Sequence, residues 1–420
     1  MAGDLTIGTG AALAPPGDVP IVDVDMTTWE FNQDPYPALE KWRELGPVVF
    51  SARHARYLVT SYRSCSRVLR DLSHFNSAQL SGFFEDHFGG LTMEALDTPR
   101  HDAMRGIWAE DFQREELQQV RPAVEEIVAA QVGPFAARVR DGDVVDGIAD
   151  MARAIPTSVI AHMLGVEPEM YRQFARWSDA MGRNSEGLLD VTDRGAELRR
   201  RSQAGTAALN EYFAAVIADR RCSPDAREAS DLVGKMVCHS AIADMTDREI
   251  VASNTQLVFA GTETTTKLMA ATLVALAEHP DQRSAVVEDR SLIPGAVEEV
   301  HRWRTLTQSI PRHACAPDST IDGVHIPQGA QVDLLTGAAN RDPERWPNPA
   351  EFDIFRPAKQ HLGFGFGMHI CLGLNLTRLE VQIWLDRFLD ELPEYRIVPP
   401  VDYGRNFPIR SPQVVNIAMA

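Results

Sequence analysis

The sequence predicts a mainly α-helical protein with a small β portion. Apolar residues recur at helical spacing through most of residues 114–220, interrupted only by proline and glycine. Residues 247–278 contain no proline and could form one helix about 48 Å long at 1.5 Å per residue. After residue 304 the pattern changes to short apolar runs between turn residues, which is typical of strands.

The N-terminal part predicts a strand pair and a helix. Residues 48–50 and 57–60 are apolar and β-branched or aromatic, which favours a short hairpin. Residues 61–72 follow with helical spacing, so we expect a helix there.

The longest predicted helix has a recognisable start. Thr246 followed by Glu249 forms a capping-box pattern, which places the first helical residue at Asp247. The next proline is Pro280, so the helix is expected to end at Glu278. A helix of this length in a globular chain predicts a central spine.

The C-terminal third predicts short strands and an irregular stretch. Strands are expected at 320–321, 324–326 and 331–335, with a turn at Asp322-Gly323 between the first two. A proline-rich meander is expected over 342–357.

Composition and charge limit the kinds of partner. The chain has 420 residues, 44% of them hydrophobic, and a formal net charge of −18. Such an acidic chain lacks the basic surface that binds nucleic acid or an anionic membrane. We therefore expect no nucleic acid and no membrane among its partners.

The cysteines and the N-terminus suggest a cytoplasmic protein. Residues 1–20 carry no basic region or long apolar core, so they predict a flexible tail, and 1–420 is expected to be one domain. The longest apolar run, Leu268–Ala277, is ten residues, whereas a membrane span needs about 20. The cysteines show no CxxC spacing, so neither a disulfide framework nor a zinc site is predicted: Cys65, Cys222, Cys238, Cys315 and Cys371.

One loop carries the most specific chemical signal. Residues 364–373 read FGFGMHICLG, with Cys371 among three glycines just before a helix-forming run. A thiolate there would meet the positive end of the helix and its free N–H groups, an arrangement that suits a sulfur ligand of haem iron. A lone cysteine is otherwise usually a small buried hydrophobe. The pattern Phe-Gly-x-Gly-x-His-x-Cys-x-Gly resembles the cysteine-ligand loop of the cytochromes P450.

A second resemblance lies inside the long helix. Residues 260–265 read AGTETT, and a glycine with several threonines in mid-helix costs stability and can bend or open the helix. Alone, this could be an ordinary polar turn. The segment resembles the oxygen-activation motif of the cytochromes P450. The resemblance implies that Ala260 and Gly261 leave room for dioxygen, and that Glu263 and Thr264 relay protons.

Further residues match the cofactor contacts of the family. His101 and Arg105 are four residues apart and would share a helix face. The resemblance implies that they bind the haem propionates together with Arg312 and His361. It also places further cofactor contacts on the cysteine loop, at Phe364, Gly365, Cys371 and Gly373.

A Glu-x-x-Arg pair matches a structural feature of the family. Glu299 and Arg302 alone would suggest an exposed ion pair of a few tenths of a kcal/mol. The resemblance implies a buried network of Glu299, Arg302 and Arg356 that braces the cysteine loop. We assign these residues a structural role.

The resemblance extends from about residue 34 to the C-terminus and implies a cytochrome P450 fold with haem b. It implies a monooxygenase that inserts one oxygen atom from O2 into a small to medium hydrophobic substrate, by hydroxylation or epoxidation. A terpenoid or aromatic substrate is our hypothesis. No reductase or ferredoxin domain is recognisable in the sequence, so electrons are expected from a separate ferredoxin and its reductase.

The substrate pocket is predicted from family positions. Residues 80–91 are expected to be a loop that closes over the substrate, although their phenylalanines could equally be core packing. The expected pocket residues are Phe83, Phe84, Phe88, Leu91, Gln256, Phe259, Ala260, Leu306, Thr307 and Ile409.

Other functions stay open at this point. Peroxygenases and fatty-acid decarboxylases of the family lack the acid–threonine pair, which argues against them. The chain could also oxidise a carrier-bound biosynthetic intermediate. A non-catalytic haem sensor is a third alternative, but it would not need a proton relay.

Overall fold

The structure is a computed structural model that describes residues 17, 19–77, 80–187, 193–222 and 231–420. Within these ranges it leaves the side chains of Phe83 and of residues 183–187 undescribed. Most of the predicted N-terminal tail, residues 1–16 and 18, lies outside the described residues.

The described residues form fifteen α-helices, named here in chain order. They are α1 (Trp29–Gln33), α2 (Tyr36–Leu45), α3 (Tyr62–Val68), α4 (Ser81–Phe88), α5 (Arg100–Gly106), α6 (Leu117–Arg140), α7 (Ala154–Met163), α8 (Tyr171–Gly187), α9 (Asp193–Cys222), α10 (Leu232–Cys238), α11 (Asp247–Glu278), α12 (Pro280–Glu288), α13 (Ile293–Trp303), α14 (Thr336–Ala339) and α15 (Leu374–Glu391).

The same residues form eleven short strands. They are β1 (Ile21–Val22), β2 (Val48–Ser51), β3 (Arg56–Val59), β4 (Phe75–Asn76), β5 (Val145–Asp146), β6 (Ile310–Ala314), β7 (Thr320–Ile321), β8 (Val324–His325), β9 (Gln331–Leu334), β10 (Tyr395–Ile397) and β11 (Asn416–Met419).

The strands pair into three sheets. The largest has the order β1-β2-β3-β9-β6-β4, the second has the order β10-β11-β5, and β7 pairs with β8. The predicted hairpin is confirmed, since Val48 pairs with Val59 and Phe50 with Tyr57 in antiparallel register. The fold class is also confirmed, because helices supply most of the structure and the strands are short.

The predicted spine is confirmed as α11, which spans Asp247–Glu278. Thr246 and Glu249 form the expected reciprocal capping box, so the first free N–H groups are satisfied. The helix packs against α7, α8, α9, α13 and α15, and most of its residues are buried. Its position lets residues 259–264 reach the centre of the molecule.

The core has a helical part and a sheet part. The largest apolar cluster joins side chains of α6, α7, α11, α13 and α15, including Phe135, Leu273 and Trp384. A second cluster packs beside the largest sheet and includes Tyr57, Val332 and Leu362. Leu362 directly precedes the cysteine loop. The loop therefore connects the part of the core beside the sheet with α15 in the helical part.

Two local predictions are corrected. The helix predicted over 61–72 is shorter, because α3 ends at Val68. The loop predicted over 80–91 is wrong, because residues 81–88 form α4. The rings of Phe84 and Phe88 stack 5.9 Å apart one turn from each other, and Gly89 ends the helix at φ +83°.

The length and apolar character of a helix determine whether it can cross a membrane. Within the described ranges, the structure contains no helix that combines the length and apolar character needed to cross a bilayer.

Candidate active site

Cys371 lies in a tight turn that ends directly before α15. Its N–H donates to the carbonyl of Phe364 over 2.9 Å, which closes the turn. Gly365 and Gly367 have φ of +70° and +74°, a region that other residues rarely adopt. A side chain at Gly367 would also come within 2.6 Å of the carbonyl oxygen of Leu69. Gly365 and Gly367 are therefore required by the backbone conformation of this loop.

The surroundings of the Cys371 thiol act on its pKa in opposite directions, and burial outweighs the other effects, so the pKa is raised. Burial raises the pKa of the thiol, whereas the N–H of Gly373 and the charges of Arg105 and Arg378 lower it. The N-terminus of α15 has no side-chain cap, so its free N–H groups add a positive potential. An iron cation at the sulfur would oppose the effect of burial in the same way.

Four basic residues come together beside the cysteine loop. His101, on α5, is almost fully buried, and its ring centroid lies 4.5 Å from that of His369. The charges of Arg312, His101 and Arg105, together with burial, hold the pKa of His369 at about 3. The predicted set of His101, Arg105 and Arg312 is therefore brought to one place, and His369 joins it.

Arg312 is the clearest candidate to bind an anion. It lies on β6, is 4% exposed, and burial lowers its pKa to about 10. Its Nη1 donates to the carbonyl of Pro311, but its Nε has no partner among the described residues. A buried guanidinium with an unused donor is costly unless an acid group meets it.

His361 does not join this group, and its predicted place there is corrected. Its ring packs against His301 and Phe364, and its Nε2 lies 3.3 Å from Oε2 of Glu298. Arg378 of α15 binds the same carboxylate through two hydrogen bonds of 2.8 Å. The turn that starts at residue 363 separates the two histidines: His361 faces α13, and His369 faces α5.

Glu299 and Arg302 form a buried ion pair on α13. Two hydrogen bonds of 2.7 Å join the carboxylate to the guanidinium, and the residues are 4% and 1% exposed. Arg356 lies 3.4 Å from the same carboxylate. Arg302 also donates to the carbonyl of Asn340, whose side chain accepts from the N–H of Leu362. A continuous chain of bonds thus runs from α13 to the start of the cysteine loop.

The predicted oxygen-activation segment lies within an unbroken α11. The hydroxyl of Thr264 donates to the carbonyl of Ala260 over 2.8 Å, so the threonine bonds within the helix instead of opening it. A side chain on Gly261 would point at Ile160 of α7, with the closest contact at 3.1 Å. Gly261 therefore allows α7 to approach closely, and the open space on the other side is bordered by Ala260 and Thr264.

Glu263 lies on the outer side of α11, beside a polar cavity of about 210 Å³. Its carboxylate is 3.4 Å from Nζ of Lys267, one turn further along the helix. Gly182 of α8 leaves room for it, since a side chain there would come within 2.8 Å of Cδ of Glu263. Arg153 and Asp179 line the same cavity and lie 3.3 Å apart.

The predicted pocket residues fall into groups. Phe88 and Phe259 meet edge to face with centroids 5.8 Å apart, and Phe84 stacks on Phe88. Phe88 is 2% exposed and belongs to the main core, so core packing accounts for it. Phe83 has no described side chain.

The other pocket residues come from four parts of the chain. Thr307 pairs with Ile409 in an isolated β-bridge, and Leu306 accepts a backbone hydrogen bond from Arg410. Leu91 packs beside Met93 and Met104. Gln256 donates from Nε2 to Oε1 of Glu94.

Sequence reasoning missed three residues that the structure brings to this region. His369 lies inside the cysteine motif, so its spacing from Cys371 was a usable signal. Lys267 is four residues after Glu263, which predicts an ion pair on a helix. Glu94 had no sequence signal, because only the fold places it against α11.

Comparison with known proteins identifies the family. A family model described as Cytochrome P450 matches residues 43–393. The chain belongs to the cytochrome P450 family. It is a cytochrome P450 monooxygenase, and the cofactor of this family is haem with a cysteine thiolate ligand to the iron.

Bacterial P450s are similar along most of the chain. Cytochrome P450 105A3 from Streptomyces carbophilus is 31% identical over 85% of this chain and 85% of its own length. The 6-deoxyerythronolide B hydroxylase from Saccharopolyspora erythraea is 30% identical over 88% of this chain and 91% of its own. A crystal structure of P450BioI, in complex with acyl carrier protein ligated to hexadec-9Z-enoic acid, has a TM-score of 0.83 at 27% identity. It covers 93% of this chain and 100% of the other.

The residues present fit the P450 haem. Residues 364–375 and the segment around Ala260 and Thr264 are partly accessible although they lie between buried elements. The two segments are adjacent, since the hydroxyls of Thr265 on α11 and Thr377 on α15 are 3.3 Å apart. A side chain on Gly373 would meet nothing within 4 Å, which leaves room for a flat group. The unpaired Nε of Arg312 suits a propionate.

Proposed function

We propose that this P450 inserts one oxygen atom from O2 into a small to medium hydrophobic substrate, by hydroxylation or epoxidation. The observation that carries the proposal is the position of Cys371 at the positive end of α15, beside α11 with its Glu263–Thr264 pair. Haem bound there supplies the redox chemistry that activates oxygen.

Groups of the chain stabilise the negative charge of the Cys371 thiolate that would ligate the haem iron. In the proposal, the N–H of Gly373 donates to the sulfur of Cys371, and Arg105 and Arg378 add positive charge. Arg312, His101, His369 and Arg105 bind the propionates and set the orientation of the cofactor. Arg302 and Glu299 keep the start of the cysteine loop in place through Asn340.

Two residues of α11 supply protons. The carboxyl group of Glu263 takes up a proton at the polar cavity, where Lys267 holds it in position. The hydroxyl of Thr264 holds a proton on the inner side of the helix, with its orientation set by the Ala260 carbonyl. Buried apolar side chains of α11 and of the helices packed on it exclude bulk water on the inner side, whereas the cavity beside Glu263 is lined mostly by polar residues.

The proposed substrate has an apolar body, and a terpenoid or an aromatic compound fits this description. Support comes from the partly accessible aromatic side chains of Phe84 and Phe259, which pack on the core residue Phe88. A carrier-bound substrate is a second candidate, because the similar P450BioI was crystallised with an acyl carrier protein.

The remaining parts of the proposal rest on resemblance to bacterial relatives. We propose that a separate ferredoxin and its reductase deliver the electrons, that residues 1–420 act as one domain, and that the protein works in the cytoplasm. No nucleic acid or membrane is needed by any step described above.

The thiolate assignment is tested by spectroscopy of the reduced protein with carbon monoxide. Wild type should show the red-shifted Soret band that is characteristic of a thiolate ligand, and Cys371→Ser should lose it. Cys315→Ser is the matched control and should keep it. A normal thiolate band in Cys371→Ser would show that another residue ligates the iron.

The substrate is identified by adding candidate compounds to the ferric, haem-loaded protein. Terpenoids, aromatics, fatty acids and fatty acids on acyl carrier protein are added, and the Soret band is followed. A blue shift with free terpenoids or aromatics supports the first candidate. A shift only with the carrier-bound form supports the second.

A further inference from the structure

A polar pair, the half-buried Glu94 and the buried Gln256, joins α11 to the turn before α5. Glu94 belongs to the short turn Met93–Ala95 between α4 and α5. Gln256 lies on α11 one turn before Ala260 and is 4% exposed. Its Nε2 donates to Oε1 of Glu94, so the two side chains hold each other.

The pair has unused acceptor atoms. Oε2 of Glu94 and Oε1 of Gln256 are both buried, and neither has a hydrogen-bond partner among the described residues. A buried polar group without a partner costs about 1–3 kcal/mol. Both free atoms are acceptors, so the group that satisfies them has to donate.

The pair also lies close to the candidate active site. The Glu94 carboxylate is near enough to raise the pKa of Cys371 and to oppose the lowering of the pKa of Arg105. Burial raises the pKa of Glu94 itself, while the nearby Thr92 hydroxyl and the charge of Arg105 act in the other direction; that hydroxyl also has no partner at hydrogen-bond distance among the described residues. No ion pair at Glu94 occurs within the described residues, and the proposed function already assigns Arg105 to the propionates.

We propose that Glu94 and Gln256 form a polar subsite of the substrate pocket and bind a protonated amine on an otherwise hydrophobic substrate. A cationic N–H donates to Oε2 of Glu94, and Oε1 of Gln256 faces the same positive charge. A hydroxyl would satisfy the pair less well, because it adds a further acceptor and brings no charge. This inference rests on the proposed function and narrows its substrate class.

The test compares matched pairs of hydrophobic probes. One member of each pair carries a dimethylamino group on a terpene or aryl body, and the other carries an isopropyl group at the same place. Tertiary amines are chosen because they are poor ligands of haem iron. Dissociation constants are measured by equilibrium dialysis against the haem-loaded protein, with the Soret band recorded in parallel.

Wild type should bind the amine at least about tenfold more tightly than its isopropyl partner, as expected for a charge-assisted hydrogen bond. Glu94→Gln keeps the size of the side chain and removes the charge, so the preference should fall below about threefold. Glu94→Asp keeps the charge and should retain most of the preference. The control Glu85→Gln makes the same charge change at an exposed site on α4 and should leave the preference unchanged.

Equal binding of both members by wild type, or a full preference in Glu94→Gln, would overturn the inference. Failure of the monooxygenase proposal is recognised separately. The carbon monoxide spectrum then lacks the thiolate band, whereas dialysis still reports any amine preference.

Discussion

At the scale of single residues, Thr264 has two properties that its neighbours lack in combination. Its hydroxyl bonds to the Ala260 carbonyl, and its side chain is partly accessible in the middle of a buried helix. Thr272 makes the same bond, to the Leu268 carbonyl, but is fully buried. The bond within the helix is therefore common to both, and access to the open side distinguishes Thr264.

This difference predicts the result of Thr264→Ala. The variant should still consume electrons. The fraction of them that ends in product should fall at least about tenfold, because the proton donor is lost. The measurement is product formed per NADPH oxidised, with surrogate ferredoxin and reductase. Thr272→Ala should keep the wild-type ratio. Unchanged coupling in Thr264→Ala would assign proton delivery to another group.

Residue-level prediction succeeded where the motif spacing was rigid and failed where a turn intervened. Spacing along one helix predicted that His101 and Arg105 share a face, the resemblance added Arg312, and the structure brings the three together. Spacing along a loop did not reveal on which side His361 and His369 would lie. That depends on the turn at residues 363–367, whose direction follows from contacts with α3 and α13.

At the scale of elements, Glu298 joins α13 to α15. Its carboxylate accepts two bonds from Arg378 and lies beside His361. Burial alone would raise the pKa of Glu298, but the hydrogen bonds and charges of Arg378 and His361 outweigh burial and hold the pKa far below its ordinary value. The ion pair therefore connects the helix behind the cysteine loop with the helix that follows it.

The lowered pKa predicts how Glu298→Gln depends on pH. A carboxyl group with a depressed folded-state pKa stabilises the protein above its unfolded pKa of about 4.3 and loses this contribution as pH falls. At pH 7 the variant should be about 1–2 kcal/mol less stable than wild type, as expected for charged hydrogen bonds. The difference should shrink as the pH falls below about 4.

Urea unfolding of the haem-loaded protein measures this difference between pH 3 and pH 7, roughly the range over which the carboxyl groups titrate. Glu125→Gln, at an exposed ion pair on α6, serves as the control and should change stability little at any pH. A difference for Glu298→Gln that stays constant with pH would contradict the assigned role.

Elements were predictable where local signals agreed. The capping box, the absence of proline and the apolar spacing all indicated α11, and its bounds were confirmed. The segment around Phe84 combined glycines with aromatics, which predicted a loop and left a substrate lid and core packing equally open. Phe88 packs against Phe259 of α11, which stabilises the helix. These two residues are far apart in sequence, so the contact could not be predicted from local patterns.

At the scale of the whole molecule, the Glu299–Arg302 pair connects the helical part with the irregular segment before the cysteine loop. Arg302 donates to the carbonyls of Asn340, Pro349 and Glu351 as well as to Glu299. Two of its five hydrogen bonds thus hold Glu299, and the other three go to a segment that has little regular structure of its own. The ion pair substitutes for a sheet or helix there.

Replacement of this arginine should destabilise the whole protein. Arg302→Leu leaves Glu299 buried without its partner, and we expect a loss of about 3–5 kcal/mol together with weaker haem retention. Arg121→Ala removes an exposed pair on α6 and should cost about 0.5 kcal/mol or less. Unfolding in urea and the haem-to-protein ratio measure both effects. A loss for Arg302→Leu no larger than that for Arg121→Ala would contradict the network's role.

The sequence by itself determined the fold class, the long helix, the family and the haem-thiolate chemistry, because these depend on residue types at short, fixed spacing. Tertiary structure decided which basic residues gather beside Cys371, why Gly261 and Gly182 are glycines, and that Glu94 meets Gln256. The bond between Glu94 and Gln256 alone joins segments 162 residues apart. Such contacts arise only when the packed helices bring the segments together, so local spacing carries no information about them.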